Sequence, residues 1–220
     1  MTGPPAPWRL SGECVVALAR GCDGAPFPPG IERLPGPRLI IAARYDDSPV
    51  GPYLEFAVAA PARAGARPGM CVTTMVVTTP EARLGGRSNW GFPKELGGLT
   101  WSSEDDVHEL RWNEREISVR GVTAGPPLPA LVPFRSVQRR SDGLVTVGGR
   151  LRGLARLAKV EITVPGDDAL ADLAGGHRGA VVSSSCLVMG RARLHEQSPV
   201  AERAPRGAAE PALSWRHSGD

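Results

Sequence analysis

Met70-Cys71-Val72-Thr73-Thr74-Met75-Val76-Val77-Thr78-Thr79 is β-branched at seven of its ten positions. Side chains stiff at χ1 pack well on a pleated surface and weaken a helix, so this stretch predicts a central strand. It breaks at Pro80, whose fixed φ suits the first turn of a helix. A short helix is predicted over 80–84, stopping at Gly85-Gly86. Upstream, Gly51-Pro52 introduces a strand over 53–59, Pro35-Gly36-Pro37 introduces one over 38–45, and a Val/Ala/Leu run covers 13–20. Downstream, 107–112 and 116–122 read as a hairpin joined at Asn113-Glu114-Arg115, followed by strands over 144–147, 157–164 and 180–193. A second helix is predicted over 167–174, with acids in its first turn and a stop at Gly175-Gly176. Many strands and few helices predict an α+β chain, mainly antiparallel, forming a large sheet or a closed barrel.

The 220 residues suit one domain with a tail. The domain is expected over 1–196. Residues 197–220 hold three prolines among small polar residues and are expected to be disordered. No run of 18 apolar residues predicts a membrane span, and the N-terminus has no apolar signal core, so a cytoplasmic location is expected. The four cysteines and four histidines are scattered, which predicts free thiols and no metal site. Arginines crowd residues 135–156, but valines and leucines are interleaved with them and no aromatic accompanies the run after Phe134. That pattern reads as strands with one arginine-bearing face rather than a nucleic-acid platform.

Of 26 basic residues only Lys94 and Lys159 are lysines. Arginine keeps its proton in a protein, whereas lysine can lose one and attack a carbonyl to form a Schiff base. Lys94 sits in Asn89-Trp90-Gly91-Phe92-Pro93-Lys94-Glu95-Leu96-Gly97. Pro93 holds Phe92 extended, and Trp90 and Phe92 can remove water from the amine. Tyr53-Leu54-Glu55-Phe56-Ala57-Val58-Ala59 supplies a second candidate. Alternation sets Leu54, Phe56 and Val58 on one face and Tyr53, Glu55, Ala57 and Ala59 on the other. A carboxylate among small residues suits proton transfer to a carbonyl substrate, and equally suits a face turned to solvent.

The segments Asp46-Asp47-Ser48-Pro49-Val50-Gly51-Pro52-Tyr53-Leu54-Glu55, Gly86-Arg87, Gly91-Phe92-Pro93-Lys94-Glu95-Leu96-Gly97 and Val181-Val182-Ser183-Ser184-Ser185 resemble successive signatures of the acetoacetate decarboxylase family. The resemblance implies a cone-shaped, closed antiparallel β-barrel with a few short helices. It implies Lys94 as the Schiff-base lysine and Glu55 as a cavity glutamate, with Tyr53, Trp90, Phe92 and Glu95 around the substrate. It also implies a homo-oligomer and a small keto substrate, with no cofactor, no nucleic acid and no membrane as partner. Three departures stand out. Glu95 replaces a second lysine, Gly12 stands at about the position of an arginine, and Ile40 lies near that of another glutamate. Two readings follow. One is a lysine-dependent lyase that performs decarboxylation, or aldol, dehydration or cyclisation steps of secondary metabolism. The other is a non-catalytic barrel that binds a small molecule.

Overall fold

The computed structural model describes residues 3–21 and 24–195. Eleven strands and one α-helix follow one another along the chain: β1 (Trp8–Ala19), β2 (Glu32–Arg33), β3 (Arg38–Asp47), β4 (Tyr53–Ala64), β5 (Arg67–Val77), α1 (Pro80–Trp90), β6 (Lys94–Leu96), β7 (Leu99–Glu104), β8 (Val107–Trp112), β9 (Ile117–Arg140), β10 (Gly143–Thr163) and β11 (Gly175–His195). They form one sheet in the order β6-β5-β4-β3-β1-β11-β10-β9-β8-β7, with β2 on β4. The pairs along this path are antiparallel except the short β5–β6 ladder, which is parallel. One parallel bridge, Met70↔Ser136, brings β5 to β9, and the Ser136 hydroxyl donates to Met70 O at 3.0 Å. The strands therefore run in a ring, joined unevenly at that point. No helix among the described residues is long and apolar enough to cross a membrane.

Alternation splits β4 between two apolar cores. Phe56 and Val58 pack with Val15, Ile40, Leu110, Trp112 and Ile117 on one face. Tyr53, Ala57 and Ala59 pack with Trp8, Cys14, Tyr45, Met75 and Trp90 on the other. The central strand predicted from Met70 onward is β5, and it divides in the same way, with Val76 in the first core and Met75 and Val77 in the second.

Several elements differ from the sequence expectation. The helix does not stop at Gly85-Gly86 but runs on to Trp90. Glycine in a helix interior costs about 1 kcal/mol relative to alanine. Here both glycines are needed for contact: a Cβ on Gly85 would lie 2.4 Å from the Trp8 ring, and one on Gly86 would lie 2.5 Å from Lys94 Cδ. The predicted second helix over 167–174 shrinks to a 3₁₀ turn, Ala171–Leu173. Its first-turn acid Asp168 is taken by Arg115 in a two-pronged ion pair and accepts from Leu170 N–H at 2.8 Å. Local side-chain bonding of this kind competes with helix. Strands β9 and β10 are far longer than expected. Pro126, Pro127, Pro129 and Pro133 lie between the end of the β8 pairing at Val122 and the β5 bridge at Ser136, where β10 is the only strand paired with β9 among the described residues. Proline is tolerated on such an edge because no neighbour needs its missing N–H. The tail expected over 197–220 lies outside the described residues.

The N-terminal segment straps α1. Trp8 Nε1 and Asn89 Nδ2 both donate to Pro4 O, at 2.9 and 2.8 Å, and Ala6 N–H donates to Asn89 Oδ1 at 3.1 Å.

Candidate active site

Lys94 is delivered by the end of α1. Thr79 caps the start of this helix, its hydroxyl accepting from Ala82 N–H, and Pro80 opens the first turn. Gly91 closes the helix in the left-handed region at φ 72°, its N–H donating to Arg87 O at 3.0 Å. Phe92 and Pro93 then carry the chain onto β6, which pairs Lys94 with Met75 and Glu95 with Val76. Arg87 Nε holds the new strand by donating to Lys94 O at 2.7 Å. Strand alternation sends Lys94 inward, 2 % exposed, with its stem over Gly86. It sends Glu95 outward, where that carboxylate pairs with Arg87 and lies 3.8 Å from Arg83 Nε. Glu95, expected beside the substrate, thus points away from Lys94, because neighbours on a strand face opposite ways.

The Lys94 ammonium donates to Glu55 Oε2 at 2.7 Å, and Glu55 is 6 % exposed. The face that carries Glu55 is therefore buried and not turned to solvent. The other carboxylate oxygen, Oε1, accepts from the Tyr45 hydroxyl at 3.2 Å. Tyr53, opposite Tyr45 in the β3–β4 register, completes the wall, with the two ring centroids 4.9 Å apart. Lys94 Nζ lies 5.1 Å from the Tyr53 ring centre, within cation–π range. Burial, then the Glu55 charge, push both phenols well above their ordinary value, so each stays a neutral hydroxyl. Burial with Glu13 and Glu55 pushes the Cys14 thiol up to about 12, so that sulfur is not a nucleophile here.

Of the residues expected at the site, the structure brings Lys94, Glu55 and Tyr53 into contact. Trp90 and Phe92 belong to the same apolar core. Trp90 packs edge-on against Trp8 at 5.0 Å and donates to Gly190 O at 2.8 Å, so it braces the helix end. Sequence reasoning missed Tyr45 and Gly86. A signal for Tyr45 existed, because the chain has only two tyrosines and both flank Glu55. Gly86 stood within a quoted motif, but its use as a slot for the lysine stem is a tertiary fact.

The departures also have local causes. Gly12 has no room for a side chain, since a Cβ there would lie 1.9 Å from Arg44 O. Ile40 points into the other core. Ser183, Ser184 and Ser185 line a hollow of about 430 Å³ with Arg9, Glu13, Arg44 and Asp46, and neither Lys94 nor Glu55 borders it. Among the described residues no group of three or more His, Cys, Asp or Glu could hold a metal.

A sequence model described as Acetoacetate decarboxylase (ADC) matches residues 27–147, which contain both Glu55 and Lys94. The chain belongs to the acetoacetate decarboxylase family. Solved structures share the fold of this family member at low identity. Acetoacetate decarboxylase from Legionella pneumophila subsp. pneumophila str. Philadelphia 1 superposes with a TM-score of 0.67 at 18 % identity, covering 89 % of this chain and 90 % of that one. The enduracididine biosynthesis enzyme MppR, complexed with pyruvate, gives 0.66 at 19 % identity, covering 87 % and 91 %. An acetoacetate decarboxylase-like enzyme from Sphingomonas wittichii RW1 gives 0.62 at 16 % identity, covering 86 % and 92 %. No curated protein sequence matches the chain.

Proposed function

We propose that this family member is a lysine-dependent lyase that binds a small carbonyl compound as an imine on Lys94. The observation that supports it is the buried Lys94–Glu55 pair, at 2.7 Å, on the core face that also holds Tyr45 and Tyr53. A buried ion pair contributes little net stability, because desolvation offsets the attraction. Its chemistry accounts for it better. Glu55 takes a proton from the ammonium, and the free amine adds to the carbonyl carbon as the C=O pair moves to oxygen. The added nitrogen gives one proton to the new alkoxide, making a neutral carbinolamine; Glu55 returns its own proton to that hydroxyl, water leaves, and a cationic iminium faces the Glu55 carboxylate. The iminium accepts the electron pair left when an adjacent bond breaks, and this serves decarboxylation and aldol or cyclisation steps alike. Tyr45 holds Glu55 by its other oxygen and so leaves Oε2 aimed at Nζ.

MppR has been solved with pyruvate and with the condensation product of pyruvate and imidazole 4-carboxaldehyde, which makes carbonyl condensation a reasonable comparison. The ring of strands around the amine serves as a closed cone that excludes water, and a homo-oligomer in the cytoplasm is the proposed working form.

Reductive trapping tests the assignment. A panel of aldehydes, ketones and keto acids with cyanoborohydride is expected to add mass at Lys94 and not at Lys159, which is exposed on β10. Lys94→Arg keeps the charge, lacks the nucleophile and is expected to give neither adduct nor turnover. No adduct across the panel, or equal labelling of both lysines, would favour a non-catalytic binding protein.

A further inference from the structure

We infer that the site selects neutral carbonyl compounds, aldehydes or simple ketones, over keto acids. The inference rests on imine formation at Lys94 and concerns which carbonyl enters.

The pocket's charges already balance. Lys94 contributes one positive charge and Glu55 one negative, 2.7 Å apart. The groups packed around them, Cys14, Ala57, Met75, Val77 and Phe92, are uncharged, and Tyr45 and Tyr53 remain neutral phenols. The guanidiniums of neighbouring elements point elsewhere. Arg83 and Arg87 on α1 turn to Glu95, Arg44 on β3 turns to Glu13 and Asp46, and Arg140 on β9 turns to Asp142. Arg38, the buried arginine of β3, sits at the end of that strand remote from Tyr45 and donates to Gly36 O. Gly12 excludes any side chain, cationic ones included, because its Cβ position is filled by the β3 backbone. Apart from Lys94, the charges that act on the pocket's thiol and phenols are acids: Glu55 on all three, with Glu13 added on Cys14.

A neutral carbonyl preserves the balance. The Lys94 ammonium, the Glu55 carboxylate and a neutral ketone or aldehyde give the iminium, the same carboxylate and one water, with net charge zero before and after. Glu55 can then take a proton from the carbon next to the iminium, leaving a neutral enamine and a neutral acid. A keto acid instead brings a second carboxylate into an apolar pocket whose only cation, among the described residues, already faces Glu55. One negative charge is left buried without a partner, and that is strongly penalised. Such a site excludes the anion before any bond is made.

The test compares carbonyls matched in shape. Pyruvate and pyruvamide match in shape and differ at one end, where a neutral amide replaces the carboxylate. Each is incubated with the full chain and cyanoborohydride, and the rate of adduct formation at Lys94 is divided by the rate on a free alkylamine, which removes intrinsic electrophilicity. The normalised rate is expected to be on the order of 100-fold higher for pyruvamide, a difference of about 2.7 kcal/mol. Glu55→Gln removes the resident negative charge and is expected to shrink that ratio at least tenfold while slowing both reactions. Pyruvate matching or exceeding pyruvamide in the unaltered protein would overturn the inference, as would a ratio unchanged by Glu55→Gln. If neither compound labels Lys94, imine formation itself fails, a result separate from the selectivity.

Discussion

Glu55 and Phe56 are adjacent on β4, yet they serve opposite ends of the protein's physics. Phe56 faces a core of apolar side chains, with Trp112 at 5.9 Å between ring centroids, and the buried Glu13–His108 pair sits at the edge of that face. Glu55 faces a core of the same depth that holds a carboxylate, an ammonium and two phenols. The backbone between them is one regular strand, so the difference is made by side chains alone. One face is arranged for stability, and the other places polar groups where water cannot screen them.

Separating the two faces by mutation should give the largest effects. Phe56→Ala is expected to lower stability by about 3–5 kcal/mol, measured by denaturant unfolding, while the turnover of molecules still folded changes little. Glu55→Gln is expected to do the reverse, cutting turnover by roughly 10²–10⁴-fold while the fold is kept. If both variants lose stability and turnover in parallel, the two faces are not functionally distinct.

The two helix glycines sharpen the contrast within one turn of α1. Gly86→Ala pushes on the Lys94 stem, and about a tenfold loss of turnover or more is expected. Gly85→Ala pushes on Trp8 instead and is expected to cost about 1–3 kcal/mol of stability with turnover nearly intact. Exchange of these outcomes would mean that the lysine stem has freedom the packing denies.

Alkali probes the charged face by a third route. Folding raises the Cys14 thiol from 9.0 to about 12 and raises both phenols. A group raised on folding adds stability in full below its unfolded value and loses that contribution as pH climbs through its folded value. Stability is therefore expected to fall from about pH 9 upward. With two tyrosines in the chain, both on this face, absorbance at 295 nm should stay flat until the protein unfolds. A smooth titration near pH 10 in the folded protein would show that the site is open to water. The smallest effect is expected at Glu95. Glu95→Lys should leave the pH dependence of imine trapping unchanged, because that side chain is exposed and turned to Arg87.

Much of this contrast was legible before any coordinates. Alternation in Tyr53–Ala59 separated Glu55 from Phe56, and the scarcity of lysine singled out Lys94. What escaped depended on distant partners. Gly85-Gly86 reads as a helix stop until Trp8 and Lys94 are seen pressing on it. No strand is expected through the prolines of β9, because sequence cannot reveal which edge of a strand is unpaired. Glu95 is expected near the substrate only through the resemblance, and the three-residue β6, which turns it outward, has no periodic signal of its own to correct that.

The place of β1 has a consequence for synthesis. This strand lies between β3 and β11, so the first of these eleven strands to be made waits for the last of them before it has both neighbours. Trp90 waits as well, since its indole donates to Gly190. A nascent chain that has emerged only as far as β9 already carries Lys94, Glu55 and Tyr45, but the second wall behind them is still inside the ribosome. Such non-local closure folds slowly, on the scale of milliseconds to seconds for sheet proteins. The amine can thus meet cellular aldehydes before its pocket exists to choose among them.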